Sequence, residues 1–200
     1  MCGLAGFTGR LDNRKKIIEK MMDRIVHRGP DMDGEYLGEG ITLGFRRLSI
    51  IDLSEAGKQP MISDDGSTAI VFNGEIYNYR EMKDELCRNG HVFRAESDTE
   101  VLLHAWLEYG QGLLDRVRGM FSFAIWDNNT KTLFAARDFF GIKPFYYTMI
   151  GRNILFGSEI KSFLEHPEFV KRLNPDAVRP YLTFQYSASD ETFFSGVYKL

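Results

Sequence analysis

Cysteine, a basic excess and long apolar runs are what this sequence lacks. Two cysteines in 200 residues, Cys2 and Cys87, are too few to staple a chain of this length. They point to a reducing compartment and leave any interest in the thiols chemical. Lys plus Arg number 25 against 28 Asp plus Glu, a formal net charge of -3, and no basic run exceeds Arg14-Lys15-Lys16. A nucleic-acid binder normally gathers a basic excess into a patch, so nucleic acid is not an expected partner. No stretch approaches the roughly 20 apolar residues of a membrane-crossing helix. The opening Met1-Cys2-Gly3-Leu4-Ala5-Gly6-Phe7 has neither the basic start nor the long apolar core of a secretory leader. Myristoylation needs glycine directly after the initiator, and Cys2 intervenes. The expectation is a soluble cytoplasmic protein without a membrane partner. What the chain does have is 44% hydrophobic and 14% aromatic residues, enough for one well-buried domain over residues 1–200.

The apolar pattern alternates between strands and helices. Residues 4–8 read as a strand that begins almost at the first residue, which holds the terminus inside the fold. Ile17, Ile18, Met21, Met22, Ile25 and Val26 make one face of a helix over 14–26 that Gly29-Pro30 stops. Strands follow at 34–37 and 41–47, joined by a Gly38-Glu39-Gly40 turn. These glycines open no helix, which excludes a dinucleotide loop. Residues 53–66 are rich in Ser, Asp and Gly and read as a surface loop, and 68–72 as a buried strand. Asn78 and Ser97 each precede a carboxylate by three residues and predict two capped helices. Residues 120–126 and 132–136 form a hairpin around Asp127-Asn128-Asn129; 145–150 and 154–156 form another around Gly151. Short helices are predicted at 160–164 and 176–183, and 197–200 read as an unfinished strand, so a longer natural protein is expected. Helices flanking antiparallel strands make the fold class α+β.

Cys2 carries the chemistry worth testing first. A small residue after Met1 permits removal of the initiator, and removal leaves a thiol and a free α-amine on one residue. A model α-amine titrates near 8, and a terminal amine is a recognised activator of a nucleophile. While Met1 remains, that amine is tied up as an amide and the centre is inert. Asn73-Gly74-Glu75 follows the strand at 68–72 and offers a side-chain amide and a glycine N–H, the donors that an oxyanion hole needs; an ordinary Asn-Gly turn is the bland alternative. Arg46-Arg47 at a strand end could clamp a carboxylate with a guanidinium fork. Asp98, in the first turn of a helix, favours the helix dipole and is equally able to hold an ammonium. A thiol with its own amine, an oxyanion hole, one cation and one anion suit cleavage of the side-chain amide of a free amino acid, and the implied substrate is glutamine.

Met1-Cys2-Gly3-Leu4-Ala5-Gly6, His27-Arg28-Gly29-Pro30-Asp31, Arg47-Leu48-Ser49-Ile50-Ile51-Asp52, Asn73-Gly74-Glu75-Ile76-Tyr77-Asn78, Ser97-Asp98-Thr99-Glu100 and Arg137-Asp138-x-x-Gly141-Ile142-Lys143-Pro144 together resemble the class II glutamine amidotransferase domain, in the spelling of glutamine-hydrolysing asparagine synthetases. The resemblance runs from Cys2 to the end. It implies an N-terminal-nucleophile hydrolase fold, a four-layer αββα sandwich of two antiparallel sheets between helices. It implies Cys2 as nucleophile and, after loss of Met1, as α-amine base; Asn73 and Gly74 as oxyanion hole; and Arg47, Glu75 and Asp98 as glutamine-holding residues. Arg47 rather than Arg46 is the match, because it directly precedes Leu-Ser-Ile. No role is assigned to the motif at 27–31. The glutaminase reaction is expected to need no cofactor and no metal. ATP and Mg belong to a C-terminal synthetase domain whose P-loop-like or Ser-Gly-Gly stretches are absent from these 200 residues. L-glutamine and that synthetase domain are the expected partners, and a homodimer is left open.

Three other readings stand beside this one. The fold could serve as a catalytically silent regulatory or binding module. The ammonia acceptor could be a sugar rather than aspartate. A zinc site could be built from Cys87, His91 and His104, against which Asn89-Gly90 breaks the helix between the first two.

Overall fold

The computed structural model of the chain describes residues 1–48, 57–186 and 190–200. Alternating side chains of two antiparallel sheets decide its layering. One sheet has the order β10-β8-β9-β1-β3-β2, from β1 (Gly3–Thr8), β2 (Met32–Gly38), β3 (Ile41–Arg47), β8 (Tyr146–Ile150), β9 (Asn153–Gly157) and β10 (Val197–Lys199). The other has the order β4-β5-β6-β7, from β4 (Met61–Ile62), β5 (Thr68–Ile76), β6 (Gly119–Asp127) and β7 (Thr132–Arg137). Leu4, Leu43, Phe45, Val71, Ala124 and Trp126 pack between the sheets. Their sequence neighbours point the other way, as period two demands: Ala5 and Phe7 meet helix α1 (Arg14–Asp23), whereas Ile70, Phe72 and Phe123 meet α2 (Tyr79–Arg88) and α3 (Asp98–Tyr109). Three apolar layers separate four structural ones, the αββα sandwich expected. A side chain on Gly44 of β3 would sit 2.7 Å from Ile18 and Met22, so glycine lets α1 press onto the sheet.

Several boundaries differ from the sequence reading for local reasons. Helix α1 ends at Asp23, and Val26–Arg28 form a separate 3₁₀ turn, because Gly29 must lie against the backbone of Arg46, where a Cβ would approach within 2.4 Å. Residues 53–56 of the predicted surface loop lie outside the described residues. Of the remainder, Met61–Ile62 pair with β5 as strand β4, and Gln59 is buried. The strand predicted at 68–72 runs on through Asn73-Gly74-Glu75 to Ile76, paired residue for residue with β6. Asn78 does not cap α2; its side chain instead bridges Arg116 O and Arg118 N–H. Ser97 does cap α3, accepting from Glu100 N–H at 3.3 Å. Glu100 turns away to accept from Arg94 and Ala95 N–H at 2.9 and 2.8 Å. The segment predicted at 160–164 is 3₁₀ (Ile160–Glu165), and the last helix is α4 (Pro175–Phe184). Among the described residues no helix is long and apolar enough to cross a membrane.

Candidate active site

The parity that builds the core also builds the site. Cys2 continues the inward positions of β1, Arg47 those of β3, and Asn73 and Glu75 those of β5, so these side chains emerge between the sheets at one end of the sandwich. The register places Gly3 opposite Arg46, which brings the mouths of β1 and β3 together. A cleft of about 280 Å³ opens there, and Cys2, Arg47, Asn73, Gly74, Glu75 and Asp98 all line it. Met1 lines it as well.

Cys2 is half-buried and its sulfur lies against Leu48: Leu48 N–H donates to Sγ at 3.4 Å, and Sγ donates to Leu48 O at 3.7 Å. Its carbonyl accepts from Arg28 Nε at 2.9 Å, and Arg28 in turn pairs with Glu159 at 3.1 Å. The motif at 27–31, left without a role in the sequence reading, thus anchors the backbone of Cys2 from below. Leu4 is fixed in the same way by Ser158, which exchanges two hydrogen bonds with its backbone. The nucleophile candidate therefore rides on a pinned strand rather than on a frayed end.

Asn73 is 2% exposed and its Nδ2 has no partner among the described residues. An unmatched buried amide costs about 1–3 kcal/mol, and in the cleft that Cys2 also lines it is a candidate donor to a ligand. Gly74 must be glycine for steric reasons: a Cβ there would meet Met120 O at 2.4 Å and Phe121 Cα at 2.8 Å. Both donors are thus held by the β5–β6 ladder rather than by a turn, and their spacing is as rigid as the sheet.

Arg47 is 9% exposed, with Nη1 donating toward Met32 Sδ at 3.6 Å. Asp98 opens α3 and accepts from Ile76 N–H at 3.2 Å, tying the helix to the end of β5. Burial pushes its carboxyl above the usual aspartate value, against the pull of backbone N–H donation, and the nearby Glu75 charge adds to the rise. A desolvated anion of this kind gains from a cationic ligand. Gln59, which the sequence reading passed over as loop, joins the two halves of the site. Its amide accepts from Phe72 N–H at 2.6 Å and donates to Phe72 O and to Thr99 Oγ1, each at 3.1 Å. Lys143 also lines the cleft; it stood in a quoted motif without a role.

The zinc reading finds no such cluster. His91 and His104 meet each other at 2.9 Å and His91 meets Glu108 at 3.0 Å, while Cys87 is exposed. Among the described residues no group of three or more His, Cys, Asp and Glu could hold a metal ion.

Two antiparallel sheets packed face to face between helices define the N-terminal-nucleophile hydrolase class of fold. The family model described as glutamine amidotransferase domain matches residues 1–200. The chain is 42% identical over 205 residues to glutamine-hydrolyzing asparagine synthetase 1 of Bacillus subtilis (strain 168), covering 100% of this chain and 32% of that protein. It is 36% identical over 214 residues to amidase chyE of Penicillium rubens, covering 100% and 31%. Among solved structures it resembles the glutamine phosphoribosylpyrophosphate amidotransferase of B. subtilis, with a TM-score of 0.72 at 21% identity over 87% of this chain and 46% of that one. This chain belongs to the glutamine amidotransferase domain family. It spans about a third of the length of these curated relatives.

Proposed function

We propose that the chain hydrolyses the side-chain amide of L-glutamine to glutamate and ammonia through a Cys2 thioester, and that the ammonia serves an ATP-dependent asparagine synthetase domain. One observation carries the reading: a single cleft gathers a thiol at the second residue, a buried amide donor without a partner among the described residues, a guanidinium and a desolvated carboxylate. Arg47 takes the α-carboxylate of glutamine, Asp98 with Glu75 takes the α-ammonium, and the primary amide then lies over the sulfur.

The chemistry follows from these assignments. After loss of Met1 the Cys2 α-amine accepts the thiol proton, directly or through a water, and the sulfur attacks the amide carbon. Asn73 Nδ2 and Gly74 N–H donate to the oxyanion of the tetrahedral intermediate. The α-ammonium returns the proton to the leaving nitrogen, ammonia departs, and water hydrolyses the γ-glutamyl thioester with the same amine as base. The synthetase acceptor rests on the names of relatives such as the B. subtilis protein; the matching amidases show that the family also serves proteins named otherwise.

The test is release of glutamate and ammonia in equal amounts from glutamine by Met1-free protein. Release that disappears in Cys2→Ala supports the proposal. A folded chain that binds glutamine without releasing either product is the silent module, and the proposal falls.

A further inference from the structure

Beyond the residues assigned above, two more charged side chains line the cleft: Glu96, which is paired with Lys83 at 2.7 Å, and Lys143. Lys143 is 7% exposed and lines the same cleft as Cys2, Asn73 and Gly74. Its backbone is pinned: its N–H donates to Asp138 Oδ2 at 2.9 Å and its carbonyl accepts from Arg137 Nε at 2.7 Å. The same Asp138 oxygen accepts from Phe121 N–H at 3.2 Å, and Phe121 is the ladder partner of Gly74. Lys143 is therefore fastened to the Gly74 side of the cleft. Among the described residues its ammonium makes no hydrogen bond and no ion pair.

The burial lies in the aliphatic stem, and the ammonium meets solvent where the residue lines the cleft. The charges of bound glutamine do not call for it: Arg47 answers the α-carboxylate, and Asp98 the α-ammonium. The reaction does call for it. Passage of the thiol proton to the α-amine leaves one negative charge on sulfur. On attack the sulfur electron pair becomes the S–C bond and the C=O pair moves to oxygen, so the negative charge stays at this end of the cleft until the intermediate collapses.

We propose that Lys143 supplies the positive charge at the reacting end of the cleft, stabilising first the Cys2 thiolate and then the oxyanion. This rests on the glutaminase reading for the oxyanion, but not for the thiolate. Lys143 exchanges no proton in any step; its contribution is electrostatic, complementary to the neutral donors of Asn73 and Gly74.

The experiment reads the thiolate without glutamine. In a Cys87→Ser background of Met1-free protein, the rate of Cys2 alkylation by iodoacetamide is followed against pH. Lys143→Met keeps the stem and removes the charge, and it should raise the midpoint by about half a pH unit or more. Lys143→Arg should hold the midpoint within about 0.2 unit of the parent. In parallel, Lys143→Met should lower kcat for glutamate release about tenfold or more, with KM within about threefold. An unshifted midpoint in Lys143→Met, in a variant that melts with the parent, overturns the proposal; if Lys143→Met fails to fold, Lys143→Gln is read by the same criterion. A shifted midpoint in protein that releases no glutamate upholds the charge assignment and sinks the glutaminase reading. Glutamate release with no shift does the reverse.

Discussion

Asn73→Ala separates catalysis from stability more cleanly than any other substitution in the cleft. The side chain is 2% exposed, yet its Nδ2 has no partner among the described residues, so truncation breaks no hydrogen bond through that atom. Relief of an unmatched buried donor, about 1–3 kcal/mol, roughly offsets the packing lost with a small polar side chain. Folding stability should therefore change by less than about 1 kcal/mol, no more than a typical point substitution. Catalysis should change far more. Loss of one oxyanion donor lowers kcat by about 10²–10³-fold, or roughly 2.7–4 kcal/mol of barrier. Because the donor meets its acceptor only after attack, KM should stay within about threefold. Denaturant unfolding and steady-state glutamate release on the same preparations read both quantities. A kcat within about threefold of the parent would remove Asn73 from the oxyanion hole, and a large stability loss would show that the donor has a folded-state partner after all.

Other consequences follow from the same geometry. Arg47→Lys keeps the charge but loses the fork, so KM for glutamine should rise about tenfold with kcat less affected; an unaltered KM would move the carboxylate contact elsewhere. Gly74→Ala would force a Cβ to 2.4 Å from Met120 O and 2.8 Å from Phe121 Cα, both backbone atoms. It should cost about 1–3 kcal/mol of stability and most of the activity, and a neutral effect in thermal melts would contradict the close approach. Asp98 titrates above its ordinary 3.8, chiefly through burial. Ionising it is thus costlier folded than unfolded, and its contribution to stability falls as pH rises from 3.8 through the raised folded value. Asp98→Asn should remove that fall, becoming relatively more stable as pH rises across the interval, while KM for glutamine climbs about tenfold or more. A stability difference that does not vary with pH would refute the burial argument.

How legible was this arrangement beforehand? Apolar runs and the quoted motifs carried most of it. The apolar runs at 4–8 and 120–126 marked strands without showing which face is which, and the sheets now assign Leu4, Phe45 and Ala124 to the layer between them; the six expected site residues meet at one cleft. What stayed hidden has local causes. Asn73-Gly74 looks like a turn in any sequence, and only the approach of Met120 O explains a glycine inside a strand. Gln59 sits in a Ser-, Asp- and Gly-rich stretch that carries no periodicity, so its clamp on Phe72 and Thr99 had no pattern to betray it. The motif at 137–144 that holds Lys143 was visible as spelling but not as position. Asp138 gathers N–H groups from Phe121, Ile142 and Lys143, and that long-range knot is what brings the lysine to the cleft.

The central claim is that Cys2 acts as nucleophile with its own α-amine as base. Initial rates of glutamate release should be measured on fractions that intact mass shows to be wholly Met1-free or wholly Met1-retaining, with Cys2→Ala alongside. The account predicts turnover in the Met1-free fraction alone. Equal turnover with Met1 in place, or turnover in Cys2→Ala, would contradict it.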